Sequence, residues 1–122
     1  MPYTAEVYFF YMPGCPWCEK FHPVWDAVVQ QLPAGTRTFK IDVTKSKERH
    51  RYRHPQHSGV PQVAFVVGKM IDWHMGYTSD PKAVVMKLMA VENLYMQQAA
   101  EAAGDTSTSQ QLRNEYHDLT TA

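Results

Sequence analysis

Read along its hydrophobic and polar positions, the chain divides into short segments with distinct periods. Residues 5–11, Ala-Glu-Val-Tyr-Phe-Phe-Tyr, hold one charge among aromatic and β-branched side chains. Such a run predicts a central strand covered on both faces. Met12-Pro13-Gly14 breaks it. From Pro16 onward Trp17, Phe21, Val24, Trp25, Val28, Val29 and Leu32 recur at spacings of three and four, the stripe of an amphipathic helix that Pro33-Ala34-Gly35 ends. Pro23 inside that stripe removes an N–H donor, so the helix either kinks there or restarts there. Residues 36–43 alternate, with Phe39, Ile41 and Val43 on one face and Thr38, Lys40 and Asp42 on the other, which predicts a second strand. Residues 60–67 and 70–75 read as two antiparallel strands joined by Gly68-Lys69, with glycine placed for a type II′ turn.

The polar, basic stretch 44–59 predicts a short helix over about 45–52 and then a loop. Ser79-Asp80-Pro81 opens a last helix whose stripe is Val84, Val85, Leu88, Val91, Leu94 and Tyr95, running to about Ala103. Beyond Gly104, residues 105–109 read as a linker. Leu112, Tyr116 and Leu119 are too few to settle whether the end is a weak helix or a frayed tail. The expected order is βαβαββα: an α/β fold with a central four-stranded mixed sheet flanked by helices, one domain over 1–103, and a linker and tail or short helix over 104–122.

Composition narrows the function classes. The chain has 122 residues, 12 basic and 12 acidic, so no global charge points to nucleic acid or an anionic membrane. No apolar run approaches the roughly 18 residues of a membrane span, and the first residues lack the pattern of a secretory signal. The expectation is a soluble, cytoplasmic monomer. Of seven methionines, four lie between 75 and 96, and they read as fillers of the core rather than as ligands. The basic residues Lys45, Lys47, Arg49, Arg51 and Arg53, interleaved with His50, His54 and His57, read either as a solvated surface or as a docking surface for an acidic partner or an anionic thiol.

Both cysteines sit in one motif, Cys15-Pro16-Trp17-Cys18, where a strand turns into a helix. A thiol at a helix N-terminus meets unpaired backbone N–H groups and the positive end of the dipole, so Cys15 should ionise readily and attack as a nucleophile. Cys18, one turn in and sheltered, is then the resolving thiol. Pro16 suits the first helical turn. Trp17 either covers an incoming disulfide with apolar surface or closes the edge of the core. Two other chemistries use the same cysteines. Zinc could be held by Cys15, Cys18, His50 and His54, with His22 or His57 substituting. An iron–sulfur cluster would need a second subunit. Both place the chain among binding modules rather than enzymes.

Over about residues 5–95 these features resemble the thioredoxin-like superfamily. The run from Tyr11 to Cys18 is similar to the start of glutaredoxins, and Val60-Pro61-Gln62-Val63 resembles their cis-proline loop. Pro23, Lys40-Ile41-Asp42-Val43-Thr44 and Gly76 look more like thioredoxin or a protein disulfide isomerase domain. The resemblance implies a thiol–disulfide oxidoreductase acting on protein disulfides. Cys15 and Cys18 would be catalytic, and Trp17, Val60, Pro61 and Gly76 would bind substrate, with the Val60-Pro61 bond cis. It implies no tightly bound cofactor or metal. A thioredoxin reductase or glutathione would return the dithiol, the latter marking a glutathione-dependent glutaredoxin. The chain departs from the pattern in three places: Phe9 stands where thioredoxins bury an aspartate, Gly14 where they carry tryptophan, and Met75-Gly76 where glutaredoxins pair two glycines.

Overall fold

A computed structural model describes residues 3–121. Four strands, β1 (Ala5–Tyr11), β2 (Arg37–Asp42), β3 (Gln62–Val67) and β4 (Met70–Met75), form one mixed sheet in the order β2-β1-β3-β4. β1 is parallel to β2 and antiparallel to β3, and β3 is antiparallel to β4. The parallel pair needs a crossover, which α1 (Pro16–Gln31) supplies. Two further helices, α2 (Pro81–Ala102) and α3 (Thr106–Thr121), complete the chain.

The inner strands β1 and β3 are buried on both faces, which is why they read as unbroken apolar runs. On one face Val7 and Phe9 of β1 and Val63, Phe65 and Val67 of β3 pack with Phe21, Trp25 and Val28 of α1 and Val84, Leu88 and Val91 of α2. On the other, Tyr8, Phe10, Ala64 and Val66 pack with Phe39, Ile41, Tyr52, Ile71 and Trp73. The β3–β4 hairpin turns at Gly68 with φ +60°, while Lys69 keeps a negative φ, as a type II′ turn requires. α1 runs unbroken through Pro23, and both Pro23 and Glu19, whose carbonyl loses its helical donor there, are exposed.

Several expectations are corrected. No helix forms over 45–52; the segment between β2 and β3 is a succession of turns. Lys45, Arg49 and Arg53 would stack at helical i, i+4 spacing, as would Lys47 and Arg51, and like charges so placed repel. Side chains also take the amides a helix would use: Ser46 Oγ accepts from the Glu48 N–H at 3.3 Å and His50 Nδ1 from the Tyr52 N–H at 3.1 Å. The segment is held instead by side chains donating to carbonyls. Arg49 donates to His54 and, at 2.6 Å, to His57, and Arg53 donates to Ser58 at 2.6 Å. Buried Gln62 accepts from the His54 N–H at 2.8 Å and donates to the His57 carbonyl at 3.3 Å. The rings of His50 and Tyr52 lie over Tyr8 at 5.4 and 5.0 Å, so this loop covers the sheet face opposite α1 and α2.

Of the two readings left open for the C-terminal end, helix or tail, the helix forms, and it starts at Thr106, inside the stretch read as a linker. Asp105 caps α3, its carboxylate accepting from the Thr108 N–H at 3.0 Å and from the Thr108 hydroxyl at 2.6 Å. α3 packs along α2, burying Leu112 and Ser109; Ser109 Oγ donates to Glu101 at 3.1 Å, and Arg113 pairs with the same carboxylate. Most of the methionines are not core fillers: of those described, Met12, Met75, Met89 and Met96 are exposed and Met86 is half-buried, while Met70 packs against the edge of the core. Val29, placed in the α1 stripe, also faces outward.

Candidate active site

The site begins where β1 ends. The Cys15 N–H donates to the Met12 carbonyl at 3.2 Å, closing a four-residue turn with proline second and glycine third. Gly14 has φ +81°, a conformation that proline followed by glycine adopts at little cost in a type II turn. The turn delivers Cys15 to the N-cap of α1, with Pro16 at its first position. There Cys15 Sγ accepts from the Cys18 N–H at 3.4 Å, taking the place an oxygen usually fills at a helix start.

Position separates the two thiols. The Cys18 thiol hydrogen bond holds Cys15 below its ordinary pKa, and the backbone N–H groups of Cys18 and Trp17 act in the same direction, against partial burial and the nearby Glu19 carboxylate. Burial, followed by the same thiol–thiol bond, pushes Cys18 up to about 11. Cys15 is half-buried and Cys18 is 0% exposed. Phe9, at the position where the resemblance places a buried aspartate, carries a ring that packs on Phe21, Trp25 and His22 at 5.0, 5.3 and 5.3 Å.

Iodoacetamide should therefore label Cys15 first. At neutral pH Cys15 should react well ahead of Cys18, because more of it is thiolate and its sulfur is half-exposed while that of Cys18 is buried. Raising the pH should speed Cys18 labelling steadily toward pH 11, where half of it is thiolate. Peptide mass mapping of partly labelled protein reads the order, and modification of Cys18 first would refute it.

Facing the sulfurs is the loop ahead of β3. The Val60-Pro61 bond is cis, and Cys15 Sγ lies 3.9 Å from the Val60 carbonyl oxygen. The Gly76 N–H donates to the Pro61 carbonyl at 2.9 Å, tying the end of β4 to the same loop. Two clefts flank Pro61. One, of about 370 Å³, is lined by Trp17, Val60, Pro61, Gly76 and Tyr77. The other, of about 270 Å³, adds His57, Gly59 and Met75 to the shared Val60, Pro61 and Gly76. Trp17 is 54% exposed, with its ring 5.4 Å from Tyr77 and the Lys20 ammonium 4.7 Å over it. Cys15, Trp17, Val60, Pro61 and Gly76 thus converge on one surface, with Cys18 beneath.

One lining residue, Tyr77, escaped the sequence reading, although an aromatic directly after Gly76 in a polar loop was an available signal; His57, read there as part of a docking surface and as an alternative zinc ligand, lines the second cleft beside Pro61. The four-ligand zinc set is not assembled. His50 packs on Tyr8 and Phe10, on the sheet face opposite α1, while Cys18 lies on α1 itself. Among the described residues no three His, Cys, Asp or Glu side chains converge to hold a metal, and no helix is long and apolar enough to cross a membrane.

No protein-family model matches the sequence, and no curated protein matches it. Solved structures do match in shape. A chloroplastic thioredoxin z is similar at TM-score 0.57 and 16% identity, covering 73% of this chain and 79% of its own. A mutant thioredoxin from Halobacterium salinarum is similar at 0.53 and 19%, covering 71% and 74%. The germline-specific thioredoxin Deadhead from Drosophila melanogaster is similar at 0.52 and 21%, covering 71% and 79%. Together with the sheet order, these matches establish a thioredoxin-like fold.

Proposed function

We propose that this chain is a thiol–disulfide oxidoreductase that exchanges its Cys15–Cys18 dithiol with disulfides in proteins. The observation that carries the reading is the placement of Cys15, a thiol with lowered pKa at a helix N-cap, 3.9 Å from the backbone of an apolar, open cis-proline loop. The thiolate is the attacking species in disulfide exchange, and an extended substrate segment can pair with exposed backbone beside it.

The steps balance. The Cys15 thiolate attacks one sulfur of the substrate disulfide, that bond breaks, and the other sulfur leaves as a thiolate that takes a proton from water. Cys18 then gives its proton to water and attacks Cys15 Sγ in the mixed disulfide. The substrate's second sulfur departs, and two electrons have passed from the dithiol to the substrate. Phe9 supplies no acid or base to the second attack, so its rate should rise with pH in step with the Cys18 thiolate fraction. The Cys15–Cys18 disulfide returns to the dithiol through a flavin-linked reductase or glutathione.

Insulin reduction tests the proposal. With dithiothreitol as the terminal reductant, the protein should accelerate precipitation of the insulin B chain well above the rate with dithiothreitol alone. Equal rates would overturn it. Replacing dithiothreitol with glutathione, or with NADPH and a thioredoxin reductase, then identifies the electron donor, and turnover with glutathione alone would make the protein glutaredoxin-like in activity.

A further inference from the structure

The zero formal charge of the chain conceals a separation. Residues 45–58 hold Lys45, Lys47, Arg49, Arg51 and Arg53 against Glu48 alone, a local net of +4 that leaves the remainder net acidic by the same amount. Both ends of this segment reach the active-site rim. At its root the Val43 N–H donates to the carbonyl of Tyr11, the last residue of β1 before the cysteine turn, at 2.9 Å. At its far end stands Val60, 3.9 Å from Cys15 Sγ.

Within the segment two guanidinium groups are fixed on the backbone of residues 57 and 58, which leads into the cleft that His57 lines, and line a neighbouring hollow with Asp42 and Glu48. Arg49 donates to the His57 carbonyl and Arg53 to the Ser58 carbonyl, each at 2.6 Å. A carbonyl satisfies a donor and cancels no charge. The ion pairs among the described residues are Arg37–Glu6, Lys87–Asp72 and Arg113–Glu101, so neither arginine meets a carboxylate. Of the nearby acids, Asp42 at the root of the segment is bonded to Thr44, Glu48 lies within the segment, and Glu19 lies in the first turn of α1. The opposite cleft, between Trp17 and Tyr77, is aromatic.

We infer that the protein substrate presents its disulfide in a segment with an apolar side chain on one flank and carboxylates on the other. The apolar side chain sits between Trp17 and Tyr77, and the carboxylates lie toward His57, Arg49 and Arg53. Like charge on the wrong side of an interface costs more than matched charge gains, so the loop both attracts acidic substrates and rejects basic ones. Because much of the effect is steering at encounter, it acts chiefly on the association rate and weakens with salt.

This inference rests on the oxidoreductase reading, and the test separates the two. Pre-reduced wild-type protein is mixed in single turnover with disulfide peptides that differ only in carrying glutamates or lysines, either before or after the cysteine. The uncharged dipyridyl disulfide serves as reference. On one flank the glutamate peptide should react at least about tenfold faster than the lysine peptide at low salt. The ratio should approach one toward about 1 M salt, where the Debye length is about 3 Å. A Lys45→Glu/Lys47→Glu variant, which leaves the arginine clasps intact, should reduce the preference several-fold and leave the rate with dipyridyl disulfide unchanged. Rates within about twofold for both charges on both flanks, or a preference that neither salt nor the variant moves, would overturn the inference while leaving the oxidoreductase reading standing. Absence of any reaction with dipyridyl disulfide would remove both.

Discussion

Replacing Cys18 with serine should yield a protein that attacks disulfides and does not release them. The variant keeps Cys15 at the N-cap of α1, with its ring of backbone donors and its 3.9 Å approach to the Val60 carbonyl. It loses only the thiol that would cleave the mixed disulfide. Incubated with a disulfide protein, it should accumulate a covalent adduct at Cys15 that survives non-reducing electrophoresis and disappears with dithiothreitol. Cys15→Ser should form no adduct and lower insulin reduction by at least about 10³-fold, within the ~10⁶-fold lost when an enzyme's nucleophile is removed. A Cys18→Ala variant, which unlike serine leaves no side-chain donor to the Cys15 sulfur, removes the first cause of the lowered Cys15 pKa, so its Cys15 alkylation profile should move to higher pH. Adduct on Cys15→Ser, or none on Cys18→Ser while the wild type turns over, would reverse the assigned roles.

Phe9→Ala should be the most damaging truncation in the sheet. Phe9 is 0% exposed in the middle of β1, with the rings of Phe21, Trp25 and His22 within 5.3 Å and that of Tyr11 at 5.6 Å. Deleting it removes its own transfer energy and leaves a cavity between the sheet and α1 that rigid neighbours fill only in part. The cost should be about 3–5 kcal/mol. Against a total stability of roughly 5–15 kcal/mol for a domain of ordinary size, that is a large fraction. Urea denaturation followed by far-UV circular dichroism should show the midpoint falling with little change in slope. Phe9→Leu, which keeps most of the volume, should recover at least half of the loss, and a loss below about 1 kcal/mol for Phe9→Ala would contradict the packing described.

The strands and the first two helices were legible because burial writes itself into local patterns. Strands β1 and β3, covered on both faces, give continuous apolar runs, and β2 at the edge alternates. The Cys15–Cys18 motif was legible because strand, turn, proline and helix follow one another without a gap, so local rules alone place Cys15 at the cap. Residues 45–52 were misread because a charged stretch without Gly or Pro before Pro55 resembles a surface helix. Its actual structure depends on Arg49, Arg53 and Gln62 reaching carbonyls and amides that only tertiary closure brings near. α3 was underestimated for the opposite reason. Its buried contribution is slight, Leu112 and Ser109, and its stop and start signals, Gly104 and Asp105, look like a linker until the Thr108 hydrogen bonds to Asp105 are seen. Tyr77 and His57 lie far from the cysteines in the chain, and it is the closed sheet that brings them to the clefts beside Pro61.

The antiparallel pairing of β1 with β3 has a kinetic side. Phe10 lies opposite Gln62 and Ala5 opposite Val67, so this pairing forms only after all of α1, β2 and the basic loop has been gathered between the two strands. The entropy of that closure must be met before the sheet returns any burial, and such distant pairings slow folding. The α2–α3 hairpin, by contrast, closes across a tight turn at Gly104 and is built from neighbours such as Glu101, Ser109 and Arg113. A refolding chain should therefore acquire helical circular dichroism from its C-terminal hairpin early. The cleft around Pro61, which needs β1, β3 and β4 in register, belongs to the last and slowest part of the search.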